Sequence, residues 1–327
     1  MSWVGRKMSR TQSSLGQLIS NYGTILAFLV AIIFFSIATD TFFRLGNLQN
    51  IIIQSTALGL CAFGLTLVLI AGEIDFSYGG IIGLVGALLA SMLQQGYSPL
   101  SATLVCLLVG GASGLLNALL VVGFNLSSFL ASVAVFFLCM GAERVYSHGV
   151  TVWIQNRTML SLVQGHIGPV PTPIVLLLGL LFVCWFLQTQ TRAGQHVRAI
   201  GENIQAAREA GIRTSLVKSL VFVLAGLLFA FAGCLETLRN GGAIMYAGKQ
   251  LLLFVLAASF LGTATFKAGK ANFPGTLVGA FFLITLMNGF TLLGMKFYLI
   301  PLAQGLILIA SVAISSIRRG EIEQVKF

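Results

Sequence analysis

The stretch GEIDFSYGG at 72–80 sets two carboxylates, Glu73 and Asp75, between an apolar run ending at Ala71 and another beginning at Ile81. A carboxylate near hydrocarbon costs about 2.5–3.5 kcal/mol even on the lenient insertion scale, so both are expected to face protein, water or a solute. The flanking glycines free the backbone to break a helix, and Asp75 or Ser77 can cap the next helix by accepting from its first amides. A helix broken at depth offers unpaired backbone groups to a polar substrate; at a membrane face the same residues make only a capped turn. The sequence leaves both readings open. Proton relay by Glu73 or Asp75 is a third use, but no Lys, Arg or His stands near them in the sequence to tune such a carboxylate.

Other polar residues within apolar runs are few. Glu143 with Arg144, and Glu236, end outward-going runs, where interfacial anchoring is expected. Asn117 and Asn288 lie deeper, and each either lines a path or makes an interhelical hydrogen bond. The five cysteines (Cys61, Cys106, Cys139, Cys184, Cys234) sit inside apolar runs with no CxxC pair, and His148, His166 and His196 are scattered. Neither a disulfide framework nor a metal site is expected. No cluster of acids, His or phosphate-gripping Arg marks an intramembrane enzyme, so no catalytic residue is assigned. With no GxxxxGK[ST] phosphate loop in the chain, any nucleotide hydrolysis must occur on a partner.

A second motif is polar throughout. QTRAGQHVRAIGENIQAAREAGIRTS at 190–215 contains a plausible N-cap at Asn203, a short helical stretch from Ile204 to Ala210 and a stop at Gly211. Two turns of helix are marginal alone in water and need packing. The small face of Ala206, Ala207 and Ala210 suits a shallow groove, either in this chain's own loops or on a partner.

These motifs must be positioned by elements that live in lipid. The chain has 327 residues, of which 57% are hydrophobic and 9% charged. A soluble domain carries about 25% charged residues to wet its surface, so a water-soluble enzyme is excluded as the default. The net charge of +10 comes from basic residues in the short gaps between apolar runs, which reads as topology determinants facing anionic lipid and cytoplasm rather than as a nucleic-acid surface. Ten runs approach the roughly 20 residues that a spanning helix needs. They lie at about 24–39, 50–71, 79–93, 100–122, 128–146, 173–189, 215–237, 250–266, 273–293 and 297–316. Ten crossings with a cytoplasmic N-terminus put twelve basic residues of the connecting segments inside and six outside, a bias that supports both ends in the cytoplasm. A re-entrant segment among the ten would not be visible in this count. The expected organisation is a cytoplasmic segment at 1–23, one transmembrane domain at 24–316 with its cytoplasmic loop at 190–214, and a cytoplasmic tail at 317–327. The first run is not expected to be a cleaved signal, since the basic stretch before it is long and nine more runs follow. Glycines such as Gly79, Gly80, Gly83 and Gly86, or Gly110, Gly111 and Gly114, predict close helix packing without defining a dimer seam.

At both motifs the chain resembles the permease subunits of bacterial ABC importers for simple sugars, the ribose, xylose, galactose and autoinducer-2 type. GEIDFSYG is similar to that family's Gly-Gly-Ile-Asp-Leu-Ser-x-Gly signature, with Glu73 replacing its second Gly, and AIGENIQAAREAGI at 199–212 to its cytoplasmic Gly-x-Asn-x-x-Ala-Ala-x-x-x-Gly-Ile segment. GLLNALLVVGFNLSSFLASV at 114–133 is similar to its Leu-Asn-Gly run and Pro-x-Phe segment, with Ser127 and Ser128 where prolines are usual. FPGTLVGAFFLITLMNGFTLLG at 273–294 is similar to its Gly-Thr-Leu-x-Gly and Asn-Gly-x-x-x-Leu-Gly pattern. One departure is LLLFVLAASFLGT at 251–263, which lacks the family's acidic Glu-Leu-Asp-Ala-Ile-Ala-Ala stretch.

The resemblance implies an all-α, ten-helix permease of the type II bundle shared with vitamin and metal-chelate importers. It implies two permease subunits, identical or related, working on ABC ATPase subunits that carry ATP and Mg, with a periplasmic binding protein delivering a small polar solute across the bacterial inner membrane. It further implies that Gly201, Asn203, Ala206, Ala207, Arg208, Glu209 and Gly211 dock on the ATPase. Glu73, Asp75, Ser77, Asn117 and Asn288 are the candidates for the solute path or its gate. The rival reading is an ion-coupled secondary transporter using Asp75 or Glu73, whose uptake would follow a proton or sodium gradient.

Overall fold

The structure is a computed structural model that describes residues 14–155, 160, 161, 163, 165–168, 170–266, 269–299 and the positions 302, 303, 305, 306 and 309. The chain is mostly helical. In order the helices are α1 (Ser14–Ala38), α2 (Leu45–Ile70), α3 (Tyr78–Gln94), α4 (Pro99–Ala118), α5 (Ser128–Ser147), α6 (Thr172–Gln190), α7 (Arg192–Glu202), α8 (Ile204–Glu209), α9 (Thr214–Asn240), α10 (Ala247–Thr263) and α11 (Phe273–Leu292). Local chemistry sets several ends: Ser98, Ser127 and Asn272 each accept from a first-turn amide of α4, α5 and α11, and Pro99 and Pro274 sit in first turns where a missing N–H costs nothing. Gly241 closes α9 with φ +71°, a left-handed conformation that favours glycine.

Nine of the ten apolar runs lie on these helices, and Phe297–Leu299 of the tenth form a single 3-10 turn with most of the run outside the described residues. Among the described residues, six helical stretches are long and apolar enough to cross a membrane: Leu45–Ile70, Pro99–Gly123, Ser128–Ser147, Thr172–Gln190, Thr214–Asn240 and Phe273–Leu292. Gly23–Ala38, α3 and α10 are shorter apolar helices. Four differences from the sequence reading concern shape. Helix α1 takes in ten described residues, 14–23, ahead of the first run, and α4 passes into a π-turn at Leu119–Gly123. The polar loop holds a further helix, α7. Two pairs of two-residue strands, β1 (Val152–Trp153) with β4 (Gly242–Ala243) and β2 (His166–Ile167) with β3 (Val170–Pro171), add small antiparallel bridges.

Helices α2, α3, α9 and α10 form the centre, with Phe63, Tyr78, Phe222, Phe229 and Phe273 fully buried among them. Helices α4 and α9 meet backbone to backbone: a Cβ on Gly110 would strike Gly226, one on Gly114 would strike Phe222, and one on Gly226 would strike Gly110. Small residues spaced four apart are what allow this approach. Large apolar side chains such as Ile33, Leu108, Leu138 and Phe182 point outward, as lipid-facing residues do.

Helix α3 begins part-way through the bundle. Ile74 touches Ser128, the first residue of α5, while Gly79 and Gly80 lie against Phe136, about two turns or ~12 Å further along that helix. The segment Glu73–Phe76 therefore climbs from the level of the α5 N-terminus into the interior. Helix α10 also starts inside the bundle, after Tyr246 in a left-handed conformation, with Gly248 packed on the backbone of Gly79.

Candidate functional site

The interior break is built from three turns of chemistry. Gly72, at φ +79°, ends α2 and turns the chain. Asp75 is buried, and its Oδ1 accepts from the Ser77 amide at 2.7 Å and the Ser77 hydroxyl at 2.6 Å, an arrangement that fixes the start of α3. Ser77 itself makes no side-chain cap, so the cap-like contact belongs to Asp75. From α4, the fully buried Asn117 donates to Asp75 Oδ1 at 3.4 Å, to Asp75 Oδ2 at 3.3 Å and to Ser77 Oγ at 2.9 Å. From α5, Ser128 Oγ accepts from the Ile74 amide at 3.2 Å.

Glu73 is ion-paired with Lys218 of α9. No cation stands near Glu73 in the sequence, and the one that pairs with it lies 145 residues away; Asp75 has no such cation among its hydrogen-bond partners. Below Glu73, Gly72 packs on Gly201 of α7, and a Cβ on Gly201 would strike the carbonyl of Ile70. The break is thus held on α4, α5, α7 and α9 at once.

Within the polar hairpin, Asn203 Oδ1 accepts from the amides of Gln205 and Ala206 at 3.0 Å each and starts α8, and Gly211 at φ +81° ends it. The three alanines do not share one free face, because Ala207 is buried while Ala206 and Ala210 are exposed. Gly201, Asn203, Arg208 and Glu209 are exposed as well, and Arg208 Nε donates to Thr214 Oγ1 at 3.2 Å, tying α8 to the first residue of α9.

Asn288 is not part of this cluster. It pairs reciprocally with Asn47, at 2.9 and 2.8 Å, joining α11 to the first turn of α2, the end opposite the break. The interhelical hydrogen bond is the arrangement adopted.

Glu143 and Glu236 differ from the interfacial anchors expected of them, since both are buried. Glu143 faces Gly83, where a Cβ would strike its carboxylate, and accepts from the Tyr246 backbone amide. Arg144 stands 5.0 Å from the Tyr246 ring centre. Glu236 takes a two-pronged contact from Arg239, at 3.0 and 2.5 Å, plus a bond from Asn240 at 3.1 Å. Glu236 and Asn240, with Thr237, Gly83, Gly86 and Ala243, border a small cleft at the far end of α9 from the hairpin. Among the described residues no three His, Cys, Asp or Glu side chains converge as metal ligands.

A turn between two helices with a buried carboxylate, amide and hydroxyl at its centre, tied to a polar hairpin outside the apolar zone, suits solute translocation rather than bond chemistry. The family described as branched-chain amino acid transport system / permease component matches residues 47–312. The chain belongs to this family of transport permeases. The permease is 32% identical over 298 residues to the ribose import permease protein RbsC of Escherichia coli strain K12, covering 90% of this chain and 92% of that one. It is 31% identical over 297 residues to the ribose import permease protein RbsC of Bacillus subtilis strain 168, with 90% and 92% coverage. It is 28% identical over 318 residues to the L-arabinose ABC transporter permease protein AraH of Azospirillum brasilense, with 97% and 94% coverage. No solved structure matches the permease significantly.

Two site residues escaped sequence reasoning. Ser128 looks like any hydroxyl near a helix start. Lys218 had a signal that was available: a single cation one turn inside the apolar run that begins at about 215, which in lipid demands a counter-charge.

Proposed function

We propose that this permease is the transmembrane subunit of an ATP-binding-cassette importer that carries a monosaccharide or similar hydroxyl-rich solute across the bacterial inner membrane. Similarity to ribose and arabinose permeases over nearly the whole chain supports the substrate class. In this reading the chain makes about ten crossings in a type II bundle with both ends cytoplasmic, and pairs with a second permease subunit. A separate ATPase holds ATP and Mg, and a periplasmic binding protein delivers the solute. Glu73, Asp75, Ser77 and Asn117 form the gate of the solute path, while Asn288 holds α11 to α2. Gly201, Asn203, Ala206, Arg208, Glu209 and Gly211 present the hairpin to the ATPase, and Ala207 packs it back on this chain.

The observation that carries the mechanism is the direct packing of Gly72, at the foot of the break, on Gly201 of the hairpin. Force applied to α7 and α8 reaches the backbone of the gate without an intermediate element, so closure of the ATPases biases the bundle between outward-open and inward-open states. The test is uptake of D-ribose and L-arabinose by cells and by vesicles. Uptake should vanish when the ATPase is removed and survive collapse of proton and sodium gradients. Uphill accumulation without the ATPase, or loss of uptake with the gradients, favours the ion-coupled alternative and overturns this reading.

A further inference from the structure

Two routes lead from the hairpin to the break. One is the backbone contact of Gly201 on Gly72. The other is polar: Arg208 on α8 bonds to Thr214, the first residue of α9; Lys218 lies four residues on, over the same helical face; and Lys218 is paired with Glu73. Glu73 is two residues from Asp75, whose bonds to Ser77 and Asn117 fix the start of α3.

Two other ion pairs among the described residues differ in kind. Glu236 with Arg239 lies within one helix, and Glu202 with Lys270 has both side chains more than 60% exposed. Exposed pairs contribute little. Glu73 and Lys218 are 15% and 17% exposed and join two separate elements, so removal of either charge leaves the other poorly solvated.

We propose that the Glu73–Lys218 ion pair is a coupling strut: it makes the first turns of α9 and the interior break move as one body, so that displacement of α8 by the ATPase repositions Asp75 and the start of α3. Lys218 is a positioning residue acting through Glu73. This rests on the importer reading above.

The test uses the complete complex of permease, ATPase and periplasmic binding protein in liposomes, and reads the ratio of binding-protein-stimulated to basal ATP hydrolysis within each sample. Each variant is compared as assembled complex purified by size-exclusion chromatography, so that free ATPase, which adds only to the basal rate, does not lower the ratio. Glu73→Gln and Lys218→Gln are each expected to lower the ratio about five-fold or more, the lower end of ordinary coupling between sites. The double neutral variant should be no worse than the poorer single one, Lys218→Arg should retain most of the ratio, and the exchanged pair E73K/K218E should exceed both E73K and K218E alone. Unchanged ratios in both neutral variants overturn the strut, as does a double variant whose loss is the product of the two single losses. A wild-type complex that the binding protein fails to stimulate overturns the importer reading itself, a result distinct from failure of the variants.

Discussion

Asp75 is held by dipoles: the Ser77 amide, the Ser77 hydroxyl and the Asn117 amide group all point toward it. Such an acceptor-only site tolerates loss of charge poorly, because an amide at position 75 presents its own N–H groups to donors. Asp75→Asn and Asp75→Ala are therefore expected to impair solute uptake while the ATPase still co-purifies; normal uptake by both returns the motif to a capped turn with no part in transport. Asn117→Leu removes the α4 side of the same cluster and should cost about 1–3 kcal/mol, measured as a lower thermal midpoint in detergent. At this scale the sequence was legible where the physics is local. Asn203 and Gly211 could be named because a cap and a left-handed stop depend on a few neighbouring residues. The partner of Glu73 could not, since nothing within a helical turn of Glu73 encodes a contact with Lys218.

Helix positions followed from apolar run length, and the capping residues Ser98 and Asn272 explain why the starts of α4 and α11 were read to within a residue, whereas α1 and α2 extend well ahead of their runs. The descent of α3 and α10 into the bundle was not legible, because a helix that begins at depth has the same composition as one that begins at a surface. The contacts of Ile74 with Ser128, of Gly79 and Gly80 with Phe136, and of Gly248 with Gly79 reveal it. The helix seams give a sharp contrast in substitutions. Gly226→Leu drives a side chain into the backbone of Gly110 and should cost at least about 1–3 kcal/mol, read as loss of folded protein in size-exclusion chromatography. Gly141→Ala, in open space on α5, should be neutral or stabilise by about 0.5–1 kcal/mol in the same assay. Equal behaviour of the two variants contradicts the α4–α9 seam.

For the molecule as a whole, composition alone placed the chain in lipid, and the outward-pointing apolar side chains of α1, α4, α5 and α6 agree with that origin. Orientation rests on the basic residues of the connecting segments, and it sets a further expectation. A cysteine introduced at exposed Glu209 should react with a membrane-impermeant thiol reagent only from the cytoplasmic side, whereas one at exposed Gln95 should react only from outside. Labelling of both from the same side contradicts the topology. Helix α9 has 27 residues, about 40 Å of rod, and Gly226 sits near its midpoint, clamped on α4. Such a clamp is a fulcrum, and the rod on either side of it is a lever. In the importer proposed above, tilting the Thr214 end would swing the Glu236 end in the opposite sense, and binding at the cleft beside Glu236 and nucleotide binding on the ATPase would then affect one another with equal strength.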